Sequence, residues 1–318
     1  MKLMHLYLCI PLALAALSLA LAQTAEEAPP APAQPKEVVI PPDVELIKDI
    51  PYCLDGNKLH KLDILRPKQR SKKPMPVIVW IHGGGFVGGS KTSGYSRLER
   101  FVQQGYLGVT IDYRFAYEKR FPAQLQDCKC AIRFLRAHAG KYRLDPKRIG
   151  VWGGSAGGNL VAMLGVTGGV KEFEGDGGWE KYSSRVQAVV DYFGMTDFLA
   201  IYELAKQGKS TERFLPMDGK ESISHLLGVK YFENPDLCRK ASPTTYASKD
   251  DAPFYIFHGD QDPLTNWSQG ELLNEVLRKA GVESDFYLVK GGRHGWPPRA
   301  DVDDKVDAFF DKHLKPKK

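Results

Sequence analysis

Apolar and polar positions alternate in two rhythms along this chain, and the changes of rhythm outline its elements. Residues 44–50 and 58–65 carry apolar side chains at strand spacing on either side of Asp55-Gly56-Asn57, which predicts two strands joined by a turn. Pro76-Val77-Ile78-Val79-Trp80-Ile81 is apolar without interruption, as a strand buried on both faces of a parallel sheet requires. Beyond it, helical and strand-like periods take turns: helix 93–104, strand 107–111, helix 122–142, strand 148–152, helix 157–166 and strand 186–192. The series resumes with strand 253–257, helix 268–280, strand 284–290 and helix 302–313. Strands separated by helices of this length predict an α/β fold, a mostly parallel central sheet with helices on both faces. Residues 198–247 break the rhythm, with helical pieces but no clear strand. That stretch is too long for an ordinary connection and predicts a small helical lid or cap.

The first residues follow a different pattern. Lys2 precedes a nearly unbroken apolar run over 6–21, and Ala20-Leu21-Ala22 fits a small-x-small cleavage site, so residues 1–22 read as a signal peptide. A membrane anchor is the alternative; the shortness of the run, Pro11 and the polar stretch from Gln23 favour cleavage. Cys9 lies inside the run rather than at its end, against a lipoprotein anchor. Residues 23–42 are rich in Ala, Pro and Glu without apolar periodicity and read as a linker, leaving 43–318 as the folded domain. The expectation is export, to the periplasm or the medium, with no membrane anchor after cleavage.

Composition adds little that is unusual: 43% hydrophobic and 26% charged residues suit a globular enzyme. The net charge of +6 is concentrated in residues 68–73 and 312–318 without interleaved aromatics, which indicates a solvated surface rather than a nucleic-acid partner. Cys53, Cys128, Cys130 and Cys238 remain after cleavage. Cys128 and Cys130 are spaced i, i+2 and so face different sides of a helix, and no nearby pair completes a zinc set. Packing or disulfide bonding is the reading for all four, with the pairing open.

The chemistry concentrates after the predicted strand ends. Gly153-Gly154-Ser155-Ala156-Gly157 follows the strand 148–152 and opens a helix, the strand-turn-helix context of a nucleophile elbow. With 31 glycines in the chain, the motif alone has little specificity; its companions supply the rest. A serine needs a base, and the base needs an orienting group. His258-Gly259-Asp260-Gln261-Asp262-Pro263 and Gly291-Gly292-Arg293-His294-Gly295 each follow a predicted buried strand. They offer His294 as base and Asp262 or Asp260 as acid, since spacing alone does not separate the two carboxylates. His82-Gly83-Gly84-Gly85-Phe86 follows another strand end, where glycines let the chain approach a substrate and aim N–H groups at one spot. His82 reads as ordering that loop, His258 as packing or hydrogen-bonding at its strand end, and His60, His138, His225 and His313 as surface residues. Gly83-x-Gly85-x-x-Gly88 with Asp112 downstream imitates a dinucleotide fingerprint, but that reading leaves Ser155, Asp262 and His294 unexplained.

Five ordered motifs, the two Gly-rich turns above with Asp112-Tyr113-Arg114, His258-Gly259-x-x-Asp262-Pro263 and Gly292-x-His294-Gly295, resemble the carboxylesterases of the hormone-sensitive-lipase-like group. The similarity is greatest to the bacterial feruloyl and acetylxylan esterase-like branch and runs over about residues 44–313. It implies an α/β-hydrolase fold, a Ser155–His294–Asp262 triad with Asp262 preferred over Asp260, and oxyanion donors at the backbone N–H groups of Gly84, Gly85 and Ala156. It implies hydrolysis of small-molecule or polysaccharide-linked carboxylic esters with no metal or organic cofactor. Phe86, Trp179, Trp267 and Trp296 are candidates to line an acyl or sugar pocket, or equally to pack loops on the core. Two other readings remain: a serine peptidase of the prolyl-oligopeptidase type, for whose usual N-terminal propeller there is no room, and a non-catalytic binding protein on a hydrolase fold. Acyl specificity and oligomeric state are not legible.

Overall fold

The computed structural model describes residues 40–69, 71–207, 222–230 and 233–316. The expected signal peptide, nearly all of the linker, and residues 208–221 and 231–232 of the predicted lid lie outside the described residues. Among the described residues, eight strands form one sheet: β1 (Val44–Pro51), β2 (Lys61–Pro67), β3 (Met75–Ile81), β4 (Leu107–Ile111), β5 (Leu144–Gly154), β6 (Ala188–Tyr192), β7 (Phe254–Gly259) and β8 (Ser284–Val289). Their order is β1-β2-β4-β3-β5-β6-β7-β8. Only the β1–β2 and β2–β4 pairings are antiparallel, and every pairing from β4 through β3 to β8 is parallel. Every residue of β3, β4 and β6 is buried, which explains why those runs show no polar alternation.

Helices cover both faces. On one side α1 (Tyr95–Gln103) and α9 (Ala300–Leu314) bury Leu98, Phe101, Val306 and Phe310 against Trp80 and Trp152. On the other, α2 (Ala123–Ala137), α4 (Ala156–Val166) and α8 (Ser268–Lys279) close over Val79, Val151, Val189 and Ile256. The helix expected over 122–142 is broken: α2 ends at Ala137, and the short α3 (Ala139–Tyr142) follows. At the break His138 leaves helical backbone, with φ −108° and ψ 21°, its ring stacked on Phe134 at 4.2 Å and Nδ1 2.9 Å from the Phe134 carbonyl oxygen. Strand β5 starts earlier than its apolar core because Leu144 pairs with Met75 before a register shift.

Within 198–247 the described helices are α5 (Phe198–Lys206), α6 (Ser222–Leu227) and α7 (Pro235–Ala241). Phe198, Ile201, Ile223, Leu226, Cys238 and Ala241 are buried in the same core as α4. The reading of His60, His138, His225 and His313 as surface residues needs correction. His60 is no surface residue: it is buried, with Nδ1 2.7 Å from Asp55 and Nε2 3.0 Å from Asp127. His138 and His313 are half-buried, His313 with Nε2 3.2 Å from Glu283, and only His225 of that group is exposed. Periodicity sees apolar positions only, so a histidine buried between two carboxylates escapes it.

Candidate active site

The sheet places the chemistry by register. Ile81 is opposite Gly153, Gly154 opposite Tyr192, Tyr192 opposite Phe257, and Gly259 opposite Val289. The loops carrying His82, Ser155, Phe193, Asp262 and His294 therefore leave one edge of the sheet, at the strands' C-terminal ends, where parallel sheets assemble their sites.

Ser155 sits between β5 and α4 at φ 59° and ψ −121°, a left-handed conformation that costs a non-glycine residue about 1–3 kcal/mol. The surrounding structure enforces it. Ser155 N–H donates to the Tyr192 carbonyl at 2.9 Å, and the Ser155 carbonyl accepts from Asn159 N–H at 3.0 Å. Gly153 and Gly157 are required by close approach: a Cβ on Gly157 would overlap the Ile81 carbonyl oxygen, and a Cβ on Gly153 would lie 2.6 Å from Gly157 C. The serine thus stands at the N-terminus of α4, where the free N–H of Ala156 and the helix dipole favour negative charge.

Asp262, not Asp260, partners His294. Asp262 is buried; its Oδ2 lies 2.8 Å from His294 Nδ1, and its Oδ1 accepts from Leu264 N–H at 2.8 Å and Thr265 N–H at 3.0 Å. His258 Nε2 lies 2.9 Å from the Thr265 carbonyl oxygen and 3.3 Å from Asp262 Oδ2, one N–H shared by two acceptors. Burial alone would raise the Asp262 carboxyl, but hydrogen bonds from His258, His294 and the Thr265 amide outweigh it and hold it well below 3.8. Asp262 is therefore a permanent carboxylate, and it fixes the His294 tautomer with the proton on Nδ1 and the Nε2 lone pair free. Asp260 instead accepts from Gly291 N–H at 2.8 Å and pins the start of the His294 loop.

The His82–Phe86 turn runs alongside the serine. A Cβ on Gly83 would lie 3.2 Å from Ser155 Cβ, and Gly84, Gly85 and Phe86 have φ of 111°, 60° and 63°. Glycine adopts such left-handed values without strain, which accounts for the glycines at 84 and 85. The Gly84 and Gly85 amides take no acceptor among the described residues. His82 holds the turn from behind, Nδ1 2.7 Å from the Gly83 carbonyl oxygen, its ring stacked on Tyr113 at 4.4 Å while Tyr113 Oη donates to the His82 carbonyl at 2.9 Å. Burial lowers His82 to about 4, so the imidazole is neutral. The dinucleotide reading is excluded by this geometry. The glycine turn abuts the serine elbow and leads into a 3-10 turn at Lys91–Gly94, and Asp112 Oδ1 accepts from Lys91 N–H at 2.6 Å.

The aromatic candidates separate. Trp296 packs on Tyr192 at 4.9 Å and Phe193 at 5.4 Å, beside His294; Phe86 is buried under the turn, its carbonyl accepting from Ala116 N–H at 2.8 Å. Trp267 precedes α8 on the Asp262 loop. Trp179 lies with Phe134 and His138, its Nε1 donating to the Tyr52 carbonyl at 2.9 Å, so its partners are α2 and the segment after β1. Phe193 was not singled out from the sequence. At φ 43° directly after β6, its ring lies 4.6 Å from His294 and 3.2 Å from a Cβ placed on Gly154. Its position just past a parallel strand end was the available signal. Asp191, fully buried beneath the elbow, was also missed. Its Oδ1 accepts from Gly194 N–H at 3.0 Å, its Oδ2 has no hydrogen-bond partner among the described residues, and burial raises its carboxyl to about 7. Among the described residues no group of three or more His, Cys, Asp or Glu side chains is arranged to hold a metal ion.

Comparison with known proteins gives concordant matches. A family model described as BD-FAE matches residues 62–277. Esterase LipQ of Mycobacterium tuberculosis is 30% identical over 77% of this chain and 56% of its own length, so the chain spans about half the length of such curated relatives. A solved truncated form of a carbohydrate esterase from gut microbiota is 31% identical with TM-score 0.75, covering 84% of this chain and 96% of that one. The propionate-bound esterase Est2 of Thermogutta terrifontis is 26% identical with TM-score 0.66, covering 87% and 97% respectively.

Proposed function

This chain belongs to the BD-FAE family of α/β-hydrolase carboxylesterases, and from that membership we propose that it hydrolyses carboxylic esters through Ser155, His294 and Asp262. The observation that carries the reading is the 2.8 Å His294–Asp262 contact, buried and doubly amide-held on the acid side, on the same sheet edge as a strained serine elbow. In the cycle, Ser155 Oγ attacks the ester carbonyl carbon while His294 Nε2 takes its proton and Asp262 steadies the resulting imidazolium. The amides of Gly84, Gly85 and Ala156 receive the developing oxyanion, each such donor being worth about 3 kcal/mol. His294 then returns the proton to the leaving alcohol, and water, activated by the same nitrogen, frees Ser155.

The acyl group is acetyl or feruloyl and the alcohol a plant-wall polysaccharide in this proposal. Similarity to a carbohydrate esterase and to a propionate-bound esterase supports a short acyl chain on sugar. Residues 198–247 are the segment proposed to set pocket depth as a lid. Asn159 of the elbow helix donates to the Met195 carbonyl at 2.8 Å and the Ala241 carbonyl at 3.4 Å, which ties that segment to the serine's own helix. Export rests on the leader pattern of residues 1–22.

Initial rates on acetylated xylan and on methyl ferulate, wild type beside Ser155→Ala, test the proposal. A preference for acetylated xylan, lost in the variant, identifies a debranching deacetylase; a preference for methyl ferulate identifies an aromatic-lined acyl pocket. Full activity in Ser155→Ala removes the triad assignment.

A further inference from the structure

We propose that Cys53 and Cys130 are joined by a disulfide bond, which ties the segment after β1 to the middle of α2. Sequence leaves three full pairings open among four cysteines; the structure brings together one neighbouring pair. Gly177 lies against both sulfurs: a Cβ there would stand 2.8 Å from Cys53 Sγ and 2.9 Å from Cys130 Sγ. Cys130 Sγ is also 3.5 Å from the carbonyl oxygen of Tyr52, the residue before Cys53, and 3.4 Å from that of Gly177. The backbone around the pair is laced in place. Leu54 N–H donates to the Gly177 carbonyl at 2.9 Å, Trp179 Nε1 to the Tyr52 carbonyl, and Arg133 Nε to the Gly178 carbonyl at 3.0 Å. The other two cysteines are placed elsewhere. Cys128 is two positions away on α2, on a different face of the helix, and Cys238 is buried on α7.

The two thiols are chemically unequal. The nearness of the Cys130 sulfur, together with burial, pushes the Cys53 thiol up. The same neighbour lowers Cys130 in spite of its burial, and the nearby Arg133 guanidinium adds to the effect. The thiolate is the reactive species in exchange. Both sulfurs are nearly inaccessible once the segment around Gly177 is seated, so the bond closes while the chain folds. One of the two cysteines, as thiolate, attacks one sulfur of a small-molecule or protein disulfide oxidant, forming a mixed disulfide and expelling one thiolate. The other cysteine, deprotonated, attacks the protein sulfur of that mixed disulfide and expels the second. Two thiols lose two electrons, one oxidant disulfide becomes two thiols, and the two protons pass to them.

The consequence reaches toward the site without entering it. Tyr52 Oη donates to the Asp112 carbonyl at 2.6 Å, next to the Tyr113 that holds His82. The bond closes a loop of about 77 residues and is expected to raise the melting temperature by about 5–10 °C. The inference does not depend on the proposed reaction.

The test is peptide mapping of the full chain refolded in oxidised and reduced glutathione, alkylated under denaturing, non-reducing conditions and digested with trypsin. Cleavage after Lys129 separates Cys128 from Cys130, so a peptide joining Cys53 to Cys130 identifies the pair unambiguously. Thermal melts accompany it: dithiothreitol is expected to lower the wild-type midpoint by the stated amount and to leave that of Cys53→Ser unchanged. Four alkylated thiols at residues 53, 128, 130 and 238, a cross-link through Cys128 or Cys238, or a reductant effect undiminished in Cys53→Ser overturns the proposal.

Discussion

Replacing Asp191 with Asn tests the electrostatics beneath the nucleophile elbow. Asp191 is fully buried, its Oδ1 accepts one amide from Gly194, and among the described residues no cation lies beside it to compensate the charge, so burial raises its carboxyl from 3.8 to about 7. A carboxyl raised in the folded state contributes its stability in the protonated form. That contribution is whole below pH 3.8 and is lost as pH rises through about 7. A shift of this size corresponds to about 4 kcal/mol when fully developed, of which about 3 kcal/mol appears between pH 4.5 and 8.5. Asn keeps the acceptor toward Gly194, has nearly the same shape, and does not titrate. Urea unfolding at the two pH values, wild type beside Asp191→Asn, therefore shows the variant gaining about 3 kcal/mol on the wild type as pH rises. Taking the difference between the two proteins cancels every other titrating group, His82 included. A variant whose advantage is the same at pH 4.5 and 8.5 refutes the reasoning, because Asp191 would then not be carrying a buried charge at high pH.

Other expectations follow from the same geometry. Asp262→Asn should reduce kcat by about 10⁴ with KM little changed, since an amide can hold His294 in the wrong tautomer; steady-state kinetics decide, and a loss below tenfold would remove Asp262 from the triad. Gly157→Ala places a Cβ 2.7 Å from the His82 carbonyl oxygen, between two rigid strand ends, and should destabilise by about 1–3 kcal/mol or more, with activity lost in parallel. A wild-type urea midpoint in that variant would show that the elbow tolerates movement. His82, lowered to about 4 by burial, keeps its stability contribution above pH 6.5 and loses it as pH falls toward 4, by about 2–3 kcal/mol at pH 4.5. His82→Asn should lose correspondingly less between pH 7.5 and 4.5, and equal losses in the two proteins would contradict the assignment.

How much of this was legible in the chain differs by the range of the interaction. Periodicity sees what one residue does to its immediate neighbours, so the all-buried β3 and the amphipathic α1 and α9 were readable without coordinates. It overran at His138, where the backbone leaves helical geometry and divides the stretch into α2 and α3. Five motifs at strand ends marked Ser155, His294 and the two candidate acids, because a parallel sheet delivers its strand ends to one edge whatever the loops do afterwards. Sequence order and motif spacing therefore determined the fold class and the list of groups available for chemistry.

Tertiary structure decided what those groups touch. Asp260 and Asp262 are two residues apart, and only folding shows that one caps Gly291 while the other holds His294. Trp179 and Trp296 look alike as aromatic loop residues, yet one packs on α2 and the other beside the histidine. Phe193 and Asp191 carry no motif, and the closeness of Cys53 to Cys130 bridges most of the distance from β1 to the middle of α2. Each of these depends on contacts between residues far apart along the chain. Local propensity does not encode them, since they exist only once the burial of apolar surface has brought the segments together.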